Sequence, residues 1–172
     1  MNAQNIDFQT PEQLANWIVR GNQDAYNFLI VVTNVLHFWD DLIDKDKPLS
    51  KDEIHSRMWD ALVTLPRNKF YRTYFDELQP VLNCAIANWM AANQFEAGEQ
   101  KADLDIAFII RSDYANLAIH SALLIGGEGW AATVAPHVRR FWHREGREEY
   151  ERALRAEKAA ANPDPHPDIV EG

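Results

Sequence analysis

The stretch from Gln23 to Asp44 contains neither glycine nor proline and is apolar over most of its length. Within it Asn27, Asn34, His37, Asp41 and Asp44 are separated by steps of seven, three, four and three residues. That spacing puts them on one face of an α-helix and on no single face of a strand. A chain built around such a segment must wrap other apolar surfaces around most of it and find partners for one polar stripe. Unpaired buried amides and carboxylates cost about 1–3 kcal/mol each.

The rest of the chain repeats the helical signal. Seven glycines are scattered through it, and no alternating apolar–polar run is bounded by turn residues. Thr10, Pro11 and Gln13 mark the N-cap, first position and third position of a first helix ending near Gly21. Asp46, Lys47 and Pro48 close the second helix. Ser50 with Glu53 forms a capping box for a third, whose stripe is Ile54, Met58, Leu62 and Val63. A fourth is expected over 69–95 with a kink or division at Pro80, and a fifth over 104–125 ending at Gly126-Gly127. A sixth is expected over 131–157. The expected fold is all-α, one bundle of five or six helices over residues 1–158, its core supplied by helices two, four and five. A disordered, proline-bearing tail is expected over 159–172.

With 172 residues, the chain is long enough for one well-buried core. Its net charge of -9 disfavours a broad nucleic-acid-binding face. The longest apolar run, Phe28 to Leu36, is broken by Thr33 and Asn34 and is too short to span a bilayer. The first five residues lack the basic-then-apolar order of a signal peptide. The single cysteine, Cys84, excludes an internal disulfide, is expected in the core, and fits a cytoplasmic protein. The tryptophans Trp17, Trp39, Trp59 and Trp89 fall at core or interface spacings. The basic run from Arg139 to Arg144 reads first as an amphipathic helix face and second as a contact for an anionic partner.

Chemistry is suggested where the polar stripe meets the end of the second helix. Asp40, Asp41 and Asp44 crowd into its last turn, where the helix dipole disfavours carboxylates and the charges repel one another. A divalent cation relieves both costs. Asp40 and Asp44, at i and i+4, suit Mg²⁺, which takes few protein oxygens together with water and substrate phosphate. His37 and Asp41 form a second i, i+4 pair compatible with Mn²⁺ or another divalent transition metal. The competing reading is an exposed helix end with ordinary surface ion pairs to Lys45 and Lys47.

The segment Phe38-Trp39-Asp40-Asp41-Leu42-Ile43-Asp44 resembles the aspartate-rich DDxxD motif of class I isoprenoid (terpenoid) synthases. The resemblance implies an all-α bundle in which Asp40 and Asp44, with Asp41 nearby, bind Mg²⁺ and grip a substrate diphosphate. It covers about seven residues. The family's second metal motif has no counterpart: Asp113, Leu117 and Ser121 fill its spacing without its hydroxyl and its glutamate. A looser similarity, in size and in acidic helices, links the chain to all-α nucleoside triphosphate pyrophosphohydrolases, whose EExxE pattern it lacks.

The expected fifth helix supplies the facing groups. Asp105, Ser112, Asn116 and His120 share a face at steps of seven, four and four, with Asp113 beside it and Arg111 one position off. Arg111 suits a phosphate, Asp113 a metal, and His120 a proton-transfer role; Asn116 completes the set. The competing reading makes His120 a hydrogen-bonded core residue and pairs Arg111 with Asp113 or Asp44. Asn83 and Asn88 offer a third wall.

Together these features imply a Mg²⁺-dependent enzyme acting on a small phosphate- or diphosphate-bearing substrate. A variant of this reading has His37, Asp41, Asp113 and His120 share a transition metal. The alternative is a non-enzymatic assembly or regulatory protein whose polar stripes are structural. A homodimer is compatible with either.

Overall fold

A computed structural model describes residues 7–44, 47–98 and 100–161. All regular structure among them is helical. Nine α-helical segments are joined by one π-helical turn: α1 Pro11–Val19, α2 Gln23–Asp44, α3 Lys51–Trp59, the π turn Asp60–Thr64, α4 Leu65–Arg67, α5 Lys69–Thr73, α6 Phe75–Ala97, α7 Lys101–Ile110, α8 Ala115–Trp142 and α9 Arg147–Ala161. Seven of these are full helices, slightly more than the five or six expected.

Local chemistry sets several boundaries. The Thr10 side chain accepts the Gln13 backbone N–H, with Pro11 at the first helical position. Arg20 in the left-handed region (φ 51°) and Gly21 (φ 87°) then turn the chain out of α1. Asn22 Oδ1 accepts the Ala25 N–H at the start of α2. Ser50 and Glu53 form the reciprocal capping box of α3, and Asn68 caps α5 through the Tyr71 N–H.

Four boundaries move. The division expected at Pro80 falls instead at Tyr74, and α6 runs unbroken through Pro80. The expected fifth helix stops at Ile110. Residues 111–114 form a turn of short-range bonds, Asp113 N–H to Ile110 O and Asn116 N–H to Asp113 O among them, before α8 begins. At Gly126-Gly127 the helical run bends instead of ending, because Gly127 takes φ 74°, ψ -176°, a conformation open in practice to glycine alone. The final helical run, expected unbroken over 131–157, divides at His143, so α9 is a separate helix. The tail expected from residue 159 lies, beyond Ala161, outside the described residues, as do the first five residues, Lys45 and Asp46.

The core joins α1, α2, α5, α6 and α8. Phe28 on α2 stacks on Tyr71, with ring centroids 5.4 Å apart, and leans on Phe70 at 5.8 Å. Leu14, Ile18, Leu78, Leu117, Val134 and Val138 close the same cluster. The second half of α8 is pinned to α1 by Trp130, whose Nε1 donates to Ile18 O at 2.9 Å while its ring meets Trp17 edge-on at 4.9 Å. From Asp44 the chain runs back along α2 through α3, the π turn and α4. The run ends where Asn68 Nδ2 donates to Asp24 O near the start of α2. Cys84, expected inside, is exposed. No helix among the described residues is long and apolar enough to cross a membrane.

Candidate functional site

A groove of about 400 Å³ opens between the C-terminal half of α2, α6, the 111–114 turn, the end of α8 and α9. The i, i+4 relation brings Asp40 and Asp44 to it together, with His37 one turn earlier. Arg111, Ser112 and Tyr114 enter from the turn, Trp89 and Glu96 from α6, and Trp142, His143 and Arg144 from the end of α8.

Asp40 and His37 are each held from outside their own helix. Trp89 Nε1 donates to Asp40 Oδ1 at 2.7 Å, and the Trp89 ring packs on Trp39 at 5.3 Å. One Asp40 oxygen is thereby fixed by a neutral donor at the edge of the groove. His37 Nε2 lies 2.8 Å from Tyr114 Oη, the two rings meeting edge to face. Protein packed around the His37 ring pushes its pKa below the ordinary imidazole value, against the pull of the Asp40 and Asp41 carboxylates. His37 is therefore neutral at pH 7, with one ring nitrogen able to accept a proton. Burial, reinforced by Asp40 and opposed by Arg111, raises Tyr114 to about 12, so its hydroxyl keeps its proton.

The opposite wall is cationic and aromatic. The Arg111 guanidinium lies over the Tyr150 ring at 4.9 Å and reaches Glu145 at 3.9 Å, a loose pair that leaves its fork open to the groove. Tyr150 donates to Glu96 Oε1 at 2.5 Å; burial first, then that hydrogen bond, pushes its pKa far up. Ser112 Oγ lies 3.3 Å from His143 Nε2. Burial and the neighbouring Arg139 and Arg111 lower the His143 pKa.

Of the residues singled out in the sequence, His37, Asp40, Asp44 and Arg111 come together here. Asp41 points elsewhere and pairs with Lys47 at 2.7 Å. Asp113 and Asn116 belong to a separate cluster. Asn88 Nδ2 and Asn116 Nδ2 donate to the two Asp113 oxygens at 2.7 and 2.5 Å. Arg139 donates to Asn116 Oδ1 and lies 3.8 Å from Asp113. Their hydrogen-bonding capacity is used in tying α6, the turn and α8 together. His120 is half-buried on α8, its Nε2 shielded and without a protein partner, and it does not line the groove. Asp105 lies on α7 and pairs with Arg147 at 2.8 Å. The shared face expected for Asp105 and Asn116 does not exist, because the 111–114 turn breaks the helical phase between them. Asn83 is exposed and accepts from Gln79.

Among the described residues, no three His, Cys, Asp or Glu side chains are arranged to share a metal ion. The set His37, Asp41, Asp113 and His120 is accordingly dispersed. Asp40 and Asp44 remain as a two-carboxylate pair, the number Mg²⁺ takes from protein when water and phosphate oxygens complete its shell. Tyr114, Trp89 and Tyr150 were not among the candidate site residues, and His143 entered only as part of the basic run from Arg139 to Arg144. The signal that could have found them is weak, because their roles depend on which helices meet.

Comparison with protein-family models, with curated proteins and with solved structures gives no significant match.

Proposed function

We propose that the groove is the active site of a Mg²⁺-dependent enzyme that releases or hydrolyses diphosphate from a small phosphate-bearing substrate. One observation carries the reading: a carboxylate pair, Asp40 and Asp44, and a loosely paired guanidinium, Arg111, line the same groove. Two carboxylates bind Mg²⁺ weakly alone, so the metal and the phosphate bind as a unit, each completing the other's coordination. Arg111 takes the remaining phosphate oxygens through its planar fork. When bound, Mg²⁺ supplies charge neutralisation at the leaving group. Neutral His37, oriented by Tyr114, is the group in the groove suited to accept a proton, in place of His120.

The test is thermal melting with MgCl₂ alone, inorganic pyrophosphate alone, and both together. The pair is expected to raise the midpoint by about 5–10 °C at saturating ligand, well beyond the sum of the separate effects. An Asp40→Asn/Asp44→Asn double variant is expected to lose the excess. An equal response from wild type and double variant overturns the reading.

A second reading is favoured by the Asn88–Asp113–Asn116–Arg139 cluster, in which part of the polar stripe is purely structural. On that reading the protein is a non-enzymatic assembly or regulatory module, and neither Mg²⁺ nor pyrophosphate stabilises it.

A further inference from the structure

The four serines of the chain stand in different surroundings. Ser50 serves the capping box of α3, Ser56 is exposed on the same helix, and Ser121 is fully buried. Ser112 lines the groove at 8% exposure, with its Oγ 3.3 Å from His143 Nε2, and His143 lines the same groove. A hydroxyl and an imidazole at that distance have the arrangement of a nucleophile and its base. The contact is looser than in pairs already closed on a substrate.

The surroundings fix both partners. Ser112 stands on the 111–114 turn, and its carbonyl accepts the Ala115 N–H at 3.0 Å. The turn that interrupts the helical run thus delivers the hydroxyl to the groove. His143 ends α8, its backbone N–H bonded to Arg139 O, and its ring centroid lies 5.2 Å from that of Phe108. Burial first, then Arg139 and Arg111, hold the ring below the ordinary imidazole pKa. At pH 7, with the ring hydrogen on Nδ1, Nε2 accepts the serine proton. Once the ring is charged, Glu145 and the carbonyl end of α8 offset that charge. Arg111, next to Ser112 in the chain, brings a loosely paired guanidinium into the same groove. Its fork suits the oxygens of a phosphoryl group as they gain charge.

We infer that Ser112 is a nucleophile, with His143 as its base, that takes up a phosphoryl group from the substrate of the groove. The inference rests on the phosphate reading for its substrate and names the route of hydrolysis. His143 Nε2 takes the hydroxyl proton as the Oγ–P bond forms. The bridging P–O bond of the substrate breaks, and the released phosphate departs with the bonding pair. Water then attacks the phosphoseryl group. His37, on the opposite wall, accepts a water proton, the Oγ–P bond breaks, and His143 returns its proton to Oγ. One diphosphate and one water leave as two phosphates, and His37 gives its proton to solvent.

The test is diisopropyl fluorophosphate, which presents an electrophilic phosphorus and a fluoride leaving group to the pair without a metal. The full chain is treated in EDTA buffer and the adducts are mapped by peptide mass spectrometry. Ser112 is expected to react at least about tenfold faster than Ser56, although Ser56 is the more exposed. His143→Gln is expected to slow the labelling of Ser112 at least about a hundredfold, the lower end for loss of a general base, with an unchanged circular dichroism spectrum. The comparison of Ser112 with Ser56 in the wild type decides even where that variant fails to fold. An unlabelled Ser112, or one no faster than Ser56, overturns the inference, and so does a Ser112 rate unchanged in folded His143→Gln. A labelled Ser112 in a protein that Mg²⁺ and pyrophosphate do not stabilise keeps the nucleophile–base pair and removes the metal–diphosphate reading. The melting shift with Ser112 unlabelled does the reverse.

Discussion

Tyr114 Oη lies 2.8 Å from His37 Nε2, joining the turn after α7 to the polar stripe of α2 at the wall of the groove. The contact fixes which way the imidazole faces. It also couples stability to alkaline pH. Burial holds the Tyr114 pKa at about 12, whereas the unfolded chain ionises near 10. The unfolded state therefore loses its proton first, and stability falls as pH rises above 10 and continues to fall until about 12. Tyr114→Phe removes this term. In urea unfolding the difference between wild type and Tyr114→Phe is expected to shrink by up to about 2–3 kcal/mol between pH 8 and pH 11.5. A pH-independent difference refutes the assignment.

Acid pH acts on the two groove histidines in the opposite direction. His37 and His143 both have folded pKa values below the ordinary 6.5, chiefly through burial. The unfolded chain takes up protons that the folded chain resists, so the unfolded state binds more protons and stability falls as pH drops through 6.5. Imidazole NMR titration checks this directly: both resonances are expected to titrate with midpoints below 6.5. Midpoints at or above 6.5 contradict it.

Asp113 is a structural acceptor in this fold. Asp113→Ala leaves Asn88, Asn116 and Arg139 without their shared partner and is expected to destabilise the protein by about 2–4 kcal/mol in urea. The response to Mg²⁺ with pyrophosphate, measured as a melting shift in the variant, is expected to stay. Loss of that response with stability intact returns Asp113 to the metal site.

Trp89→Phe keeps the ring against Trp39 and removes the donor to Asp40. Stability is expected to fall by about 1 kcal/mol. The joint affinity for Mg²⁺ and pyrophosphate, read by calorimetry, is expected to fall several-fold, because Asp40 loses the contact that orients it. Unchanged affinity separates Asp40 from the metal.

The bend in α8 rests on one glycine. Gly127→Ala puts a side chain at φ 74°, ψ -176° and is expected to cost about 1–3 kcal/mol. Gly129→Ala meets no atom within 4 Å in a helical stretch and is expected to be neutral or stabilising by up to about 1 kcal/mol. Thermal melts of the two variants check the contrast, and equal midpoints exclude a special backbone at Gly127.

The sequence by itself determined the features whose partners lie within a turn or two. The capping pairs Thr10–Gln13 and Ser50–Glu53, the unbroken α2 and the i, i+4 pairing of Asp40 with Asp44 follow from 3.6-residue periodicity and short-range hydrogen bonding, whereas periodicity set His37 with Asp41, which instead pairs with Lys47. Only the tertiary structure decided where the helix after Gly98 breaks. Residues 104–125 are apolar enough to continue as one helix. Asp113, Ser112 and Tyr114 each bond to a residue at least 25 positions distant, Asn88, His143 and His37, and those contacts hold the turn open. Once the helical phase is lost at that turn, Arg111 stays on the groove while Asn116 and His120 leave it. Periodicity cannot foresee this, because the competing bonds are made by residues far away in the chain.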